Sequence, residues 1–293
     1  MKNKYLIVLL SVSLFFVSSF VSDKKELPKL GIVGGLAQDQ LVYSAGFRAN
    51  GESVKRVLSP SLTDQEFSDK LNEIKAAKCK LVSCNLFFPA DIKIAGPDVN
   101  EQRVLSYADS VLSRARQADV KVIVLGSGGA RNIPAGYDIE KAKSAFINLG
   151  RKLGTIAEKY KVTIVLENLE TTETTFITSL KAAAEIVRAI NHPNFRLNAD
   201  IFHMMREGES PEEIVAAGNL VGFSEIAEKE KRSLPGVMGD DFRPYLRALK
   251  KIGYKGYIFM EGSIKNPEVE IPQAFKYLSR QVAEVYEGVG GVE

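Results

Sequence analysis

Residues 162–176 read VTIVLENLETTETTF, and residues 195–204 read FRLNADIFHM. In each stretch an apolar run stops abruptly at a carboxylate: Glu167 in the first, Asp200 in the second. His203 follows Asp200 by three residues, and a helical run at 179–190 joins the two stretches. Buried strand, returning helix, buried strand is a parallel βα unit. Acids that close such strands sit where α/β folds place their chemistry.

Outward from this pair the unit recurs. Upstream, 29–35 reads as a first strand ending in a glycine turn, 54–58 as a second, 81–88 as a third and 120–125 as a fourth. Downstream, 220–226 and Tyr257–Met260 make the seventh and eighth. Helical patterns separate them at 38–46, 61–77, 104–118, 138–160, 240–251 and 274–286, with a short helix opened by Ser210-Pro211-Glu212-Glu213. Eight alternating units without a linker predict a single (β/α)₈ barrel over residues 23–293. A doubly wound open sheet is the alternative, but its glycine fingerprint after the first strand is missing.

Residues 1–22 are a separate object. Lys2 and Lys4 precede an apolar stretch at 5–21, with small residues near Ser18 and Ser19 and the charged run Asp23-Lys24-Lys25-Glu26 behind it. That pattern predicts a secretory signal peptide and export, with a bacterial periplasm as the expected destination and no stable membrane partner after cleavage. An uncleaved anchor helix is the competing reading. The formal charge of +3 includes those two leader lysines, and no long lysine or arginine run occurs, so a nucleic-acid groove is excluded. The two cysteines, Cys79 and Cys84, lie in KCKLVSCNLFF. On a strand they are about 16 Å apart, beyond disulfide reach, and are expected to be buried thiols.

In a barrel, the ends of strands five to eight are neighbours on one half of the top face. They carry Glu167, Asp200, Glu225 and Glu261. A single acid at a strand end can be a helix cap or half of a surface ion pair. Four at corresponding positions repel one another unless a positive charge sits between them. Ligands that are all oxygen select a hard divalent cation, Mn²⁺ or Mg²⁺, over zinc. His203, Glu173, Arg232 and Arg131 stand in the flanking loops; each alone reads equally as an ordinary structural or solvated residue.

Several segments carry a resemblance: GSGGARNIP at 126–134, LENLETTET at 166–174, DIFHM at 200–204, IAEKEKRSLPG at 226–236 and GYKGYIFME at 253–261. Together they resemble the sugar isomerase/epimerase superfamily with the xylose-isomerase-like barrel, which includes ketose 3-epimerases, hydroxypyruvate isomerase and inosose dehydratase. The resemblance runs from about Lys29 to the C-terminus. It implies that Glu167, Asp200 and Glu261 are metal ligands and that the two glutamates are also the acid/base pair. It further implies that Glu173, His203 and Arg232 hold substrate oxygens, and Arg131 is grouped with them. The chain departs from the family at strand seven, where Glu225 stands for the usual His or Gln ligand and Phe223 for a frequent second His.

The expected activity is proton transfer next to the carbonyl of a keto sugar or polyol. A chelating cation stabilises the developing enediolate, one glutamate removes the proton and the other returns it. Return to the opposite face gives epimerisation, return to the adjacent carbon gives isomerisation, and loss of a β-leaving group gives lyase or hydratase chemistry on oxidised sugars. A non-catalytic carbohydrate-binding barrel is the alternative of another class, supported by Phe223 and Glu225. An abasic-site endonuclease needs a histidine-rich zinc cluster, and the chain has only His192 and His203. The expected partner is a small-molecule sugar. Barrels of this family often pair, so a homo-oligomer is left open.

Overall fold

The structure, a computed structural model, describes residues 27–288. The leader read at residues 1–22 lies outside them. In chain order the elements are β1 (Lys29–Ile32), α1 (Asp39–Ser44), β2 (Ala49–Ser53), α2 (Val54–Val57), α3 (Asp64–Ala76), β3 (Lys80–Asn85), α4 (Glu101–Gln117) and β4 (Val122–Leu125). They continue with α5 (Gly128–Arg131), α6 (Ile139–Tyr160), β5 (Thr163–Glu167), α7 (Leu180–Ile190), β6 (Phe195–Asp200), α8 (Ile201–Glu207) and α9 (Glu212–Ala217). The last are β7 (Val221–Ile226), α10 (Arg243–Lys251), β8 (Tyr257–Met260) and α11 (Pro267–Glu287). All neighbouring strands pair in parallel, and β1 meets β8 from Lys29 opposite Tyr257 to Ile32 opposite Met260. That closure rules out the open sheet.

Local chemistry explains where the helices begin. Thr63 and Glu66 form a reciprocal capping box at α3, Asp138 accepts the N–H groups of Glu140 and Lys141 at α6, and Ser179 accepts that of Ala182 at α7. At β2 the expectation is corrected. The strand is Ala49–Ser53, and 54–58, read as the strand, begins with the helical turn α2. Its buried residues Val54, Val57 and Leu58 fall at i, i+3 and i+4, a helical and not an alternating period. The last helix also begins earlier than 274, at Pro267, because a proline at its first position already has a helical φ. Cys79 and Cys84 are free and buried, as expected.

Strand alternation builds the interior in two levels. Ala49, Val82, Val124, Val165, Phe223 and Phe259 form an apolar plug inside the barrel, with the Phe223 and Phe259 rings 5.0 Å apart. Gly31 allows this filling: a Cβ there would lie 2.3 Å from the Phe259 ring. One step of two residues above Val165, Phe223 and Phe259 come Glu167, Glu225 and Glu261, and Asp200 sits opposite Glu225 in register. The period of two thus lifts the acids onto an apolar floor.

Candidate active site

Oxygen atoms of Glu167, Asp200, Glu225 and Glu261, one from each, all lie within 4.8 Å of one another at the mouth of the barrel. That span is about two cation–oxygen bonds. Glu167, Asp200 and Glu225 are buried, and Glu261 is partly open to the pocket. Asp200 also caps a helix: its Oδ1 accepts the N–H of His203 at the start of α8 (3.1 Å). The capping explanation therefore holds for one of its oxygens and leaves Oδ2 toward the cluster. Glu225 Oε2 accepts from Asn198 Nδ2 at 2.5 Å, while Oε1 is buried with no hydrogen-bond partner.

The electrostatics follow from this crowding. Burial pushes the Glu167 carboxyl up to about 7, with Glu261 and Asp200 adding repulsion and His203 opposing it. Burial also drives Glu225 well above the carboxylate range, reinforced by Glu261, Glu167 and Asp200. For His203, burial favours the neutral ring, but Asp200 and Glu167 outweigh it and lift it to about 9. Its Nε2 lies 3.5 Å from Glu167, 3.9 Å from Asp200 and 4.0 Å from Glu173, and neither ring nitrogen has a hydrogen bond.

Arg232 reaches the cluster from the loop after β7. It donates to Glu173 at 3.2 Å and to Glu261 Oε2, and its guanidinium lies 4.7 Å over the Phe202 ring. Burial works against its charge, but Glu261 and Asp200 hold the guanidinium firmly protonated. Arg131 closes the short helix α5 after β4. It is fully buried, donating to the backbone oxygens of Glu167 (2.8 Å) and Ile177 (3.3 Å), and burial lowers it to about 10. Both bonded guanidinium arms are committed to backbone oxygens, where they hold the end of β5.

Three asparagines complete the site and were not singled out in the sequence. Asn85, at the end of β3, donates to Glu261 Oε1. Asn198 holds Glu225, and Asn168 locks β5 to β6 by donating to Asp200 O (3.1 Å) and accepting its N–H (3.0 Å). Asn85 and Asn168 occupy or adjoin a strand end, the position that singled out the acids, while Asn198 lies within β6, level with Phe223. Amides carry no charge to balance, so the repulsion argument passed over them. The oxygen-only donor set and the unpartnered Glu225 oxygen fit a hard divalent cation. Glu167, Asp200 and His203 form an alternative set, as do Glu170, Glu173 and His203.

The model of a protein family described as xylose isomerase-like TIM barrel matches residues 40–281. Among curated relatives, an L-ribulose 3-epimerase of Methylomonas sp. is 30% identical over 112 residues, covering 38% of this chain and 39% of that protein. A putative hydroxypyruvate isomerase of Mus musculus is 29% identical over 151 residues, 48% and 54% of the two chains. A D-psicose 3-epimerase of Ruminiclostridium cellulolyticum is 27% identical over 180 residues, 58% of each. The matches thus span only part of these relatives, from 39% to 58% of their lengths. Two solved structures share the fold. A D-psicose 3-epimerase crystallised in the presence of D-fructose has a TM-score of 0.73 at 16% identity, over 89% of this chain and 99% of that one. A 3-keto-D-glucoside 4-epimerase from E. coli has a TM-score of 0.71 at 18% identity, over 87% and 98%.

Proposed function

The chain belongs to the xylose isomerase-like TIM barrel family, and from that premise we propose that it is a metal-dependent sugar isomerase or epimerase. It would move a proton α to the carbonyl of a keto sugar or related polyol through an enediolate. The observation that carries this reading is the convergence of four carboxylates, with the buried Oε1 of Glu225 left without a partner. Arg232 and His203 offset part of this charge, but neither reaches the free Oε1 of Glu225, and a non-catalytic sugar-binding barrel has no use for that buried, unpartnered oxygen.

Glu167, Asp200, Glu225 and Glu261 would hold Mn²⁺ or Mg²⁺. When bound, such an ion supplies Lewis-acid stabilisation for negative charge developing on the substrate oxygens. The remaining work belongs to the side chains. Glu167 and Glu261, from β5 and β8, both line the pocket and serve as the acid/base pair, one removing the proton and the other returning it. His203 and Arg232 present donors to substrate oxygens, and Glu173 accepts from a hydroxyl. Arg232 spans Glu173 and Glu261, so its guanidinium lies beside both the acid/base group and a substrate-holding group.

The test pairs elemental analysis of the purified protein with solvent deuterium exchange into ketoses. Roughly one Mn²⁺ or Mg²⁺ per chain, and deuterium at the carbon next to the carbonyl, is the expected result. Elimination of a β-leaving group would appear as an unsaturated product in the same assay. Absence of affinity for added Mn²⁺ together with no exchange would sink the enediolate mechanism and favour a binding barrel.

A further inference from the structure

A second cavity, of about 910 Å³, adjoins the catalytic pocket, which itself encloses about 310 Å³. Its walls come from the loops after β2, β3 and β4 and from the first half of α4, so it opens on the same face of the barrel as the carboxylates. The two spaces share Leu86, Ser127 and Gly128, which form the waist between them.

The waist is built in an unusual way. Leu86 and Ser127 both have left-handed backbones, with φ of 56° and 46°, a region that side-chain-bearing residues rarely adopt. Leu86 is also 58% exposed, and the Ser127 hydroxyl accepts the N–H of Phe88 at 2.9 Å, tying the β4 loop to the β3 loop. Strained backbone and an exposed leucine coincide at the one point where the two cavities meet, which is the pattern of a ligand-facing ledge. Beyond the waist the wall mixes apolar, hydroxyl and charged groups, the last from Lys55, Glu66, Asp91 and Arg103. The Phe88 and Tyr107 rings lie 5.6 Å apart, and Ser61, Ser106 and Ser110 line the same space.

We propose that this outer cavity holds the second ring of the substrate, so that the preferred substrate is a keto-disaccharide or keto-glycoside and not a free ketose. The proposal rests on the isomerase or epimerase reading and names its substrate class. A sugar ring offers apolar C–H faces and a hydroxyl rim, which is the mixture this wall complements. The inner pocket is at the lower end of small-ligand sites, roughly 300–1,000 Å³, so it suits one ring beside the carboxylates and leaves a glycosyl substituent to the outer space. A ring leaving the inner pocket past Leu86 enters the outer cavity without crossing the acid cluster.

Calorimetric titration of the Mn²⁺-loaded protein tests this without requiring turnover. The probes are lactulose, maltulose and isomaltulose, each against fructose, the ketose that they share. At least one disaccharide should bind about ten-fold tighter than fructose, and Ser106→Trp, which fills the outer cavity from the exposed face of α4, should erase that advantage. Leu86→Gly, which suits the left-handed backbone and removes the ledge, should weaken the same preference while keeping the fold. Disaccharides that bind no tighter than fructose, or an advantage that survives Ser106→Trp, would overturn the proposal. Deuterium exchange separates the two readings: exchange into fructose with no disaccharide preference removes the outer subsite alone. Tight disaccharide binding that Ser106→Trp abolishes, with no exchange into any probe, removes the isomerase reading and leaves the subsite assigned.

Discussion

At the scale of single residues, Glu225 is where this chain departs most from the pattern that it resembles. Its carboxyl is buried, bonded on one side by Asn198 and unpartnered on the other. Such a group opposes folding when no cation is present and supports it when one is. Glu225→Gln should therefore stabilise the metal-free protein by about 1–3 kcal/mol near pH 8, yet weaken Mn²⁺ binding about ten-fold or more. Thermal melts in chelator and calorimetric titration would check the two signs; unchanged Mn²⁺ affinity would remove Glu225 from the ligand set. Glu167 and His203 yield a pH prediction for the metal-free form. Their folded values, about 7 and about 9, lie above their ordinary 4.5 and 6.5, so the folded chain retains protons that the unfolded chain releases. The stability that they contribute is present at low pH. It falls as pH rises from 4.5 past about 7 for Glu167, and from 6.5 past about 9 for His203. Subtracting the Glu167→Gln profile from the parent profile, both in chelator, should isolate a decline with rising pH; a difference that is flat across this range would contradict the burial argument. Glu167, Asp200 and Glu261 were legible in the sequence because each ends a strand-like run, and Glu225 because it falls at the corresponding place near the end of the seventh. The grip of Arg131 on the backbone of Glu167 and Ile177 was not, since sequence does not show which carbonyls an arginine near a strand end will reach.

At the scale of elements, the loop that carries Arg232 is organised by a buried carboxylate that no motif had singled out. Glu228 accepts the N–H groups of Gly236 (2.7 Å), Gly239 (2.8 Å), Asp240 (3.2 Å) and Met238, together with the Ser233 hydroxyl (3.0 Å). Lys231 and Arg232 between them hold left-handed backbones, a conformation that the loop must impose. Glu228→Ala should cost about 3 kcal/mol, since several amides lose their acceptor, and should release amide protection at Gly236 and Gly239 together. Hydrogen exchange would show this, and KM for the ketose should rise as Arg232 loses its fixed entry. Retained protection at both glycines would mean that the loop is held elsewhere. The second strand shows why part of the fold was hidden. Its sequence, ANGES, lacks an apolar run because Asn50 is bonded instead to the first loop, donating to Gly35 O (2.9 Å) and accepting from Gly34 N (3.1 Å). Hydrophobic pattern finds strands that pack through side chains. This one is also held through polar contacts to the neighbouring loop, and the apolar turn after it drew the reading away.

At the scale of the whole molecule, seven strands were legible from their own apolar runs and the second only as a unit read a few residues too late, and closure then decides which acids become neighbours. Closure brings β8 beside both β7 and β1, so Glu261 is placed by pairings at opposite ends of the chain. The apolar plug of Phe223 and Phe259 beneath it shuts water out from below, which makes the acid layer a low-dielectric surface. A cation bound across β5, β6, β7 and β8 would therefore join elements that are far apart in sequence, and its binding energy would appear as stability of the closed barrel. Free Mn²⁺ at about a hundred times its dissociation constant should add about 2.7 kcal/mol, on the linkage relation for a ligand that binds only the folded state. For a barrel of this size each kcal/mol raises the melting temperature by about 2–4 °C, so addition of Mn²⁺ after chelation should raise Tm by about 5–10 °C. The shift should shrink in Glu225→Gln and persist in Ser106→Trp, which lies outside the carboxylate layer. A Tm that ignores Mn²⁺ in the parent protein would mean that protons on Glu167 and Glu225, both raised by burial, relieve the repulsion without a cation. It would leave the four-carboxylate layer without the charge that its geometry is built to surround.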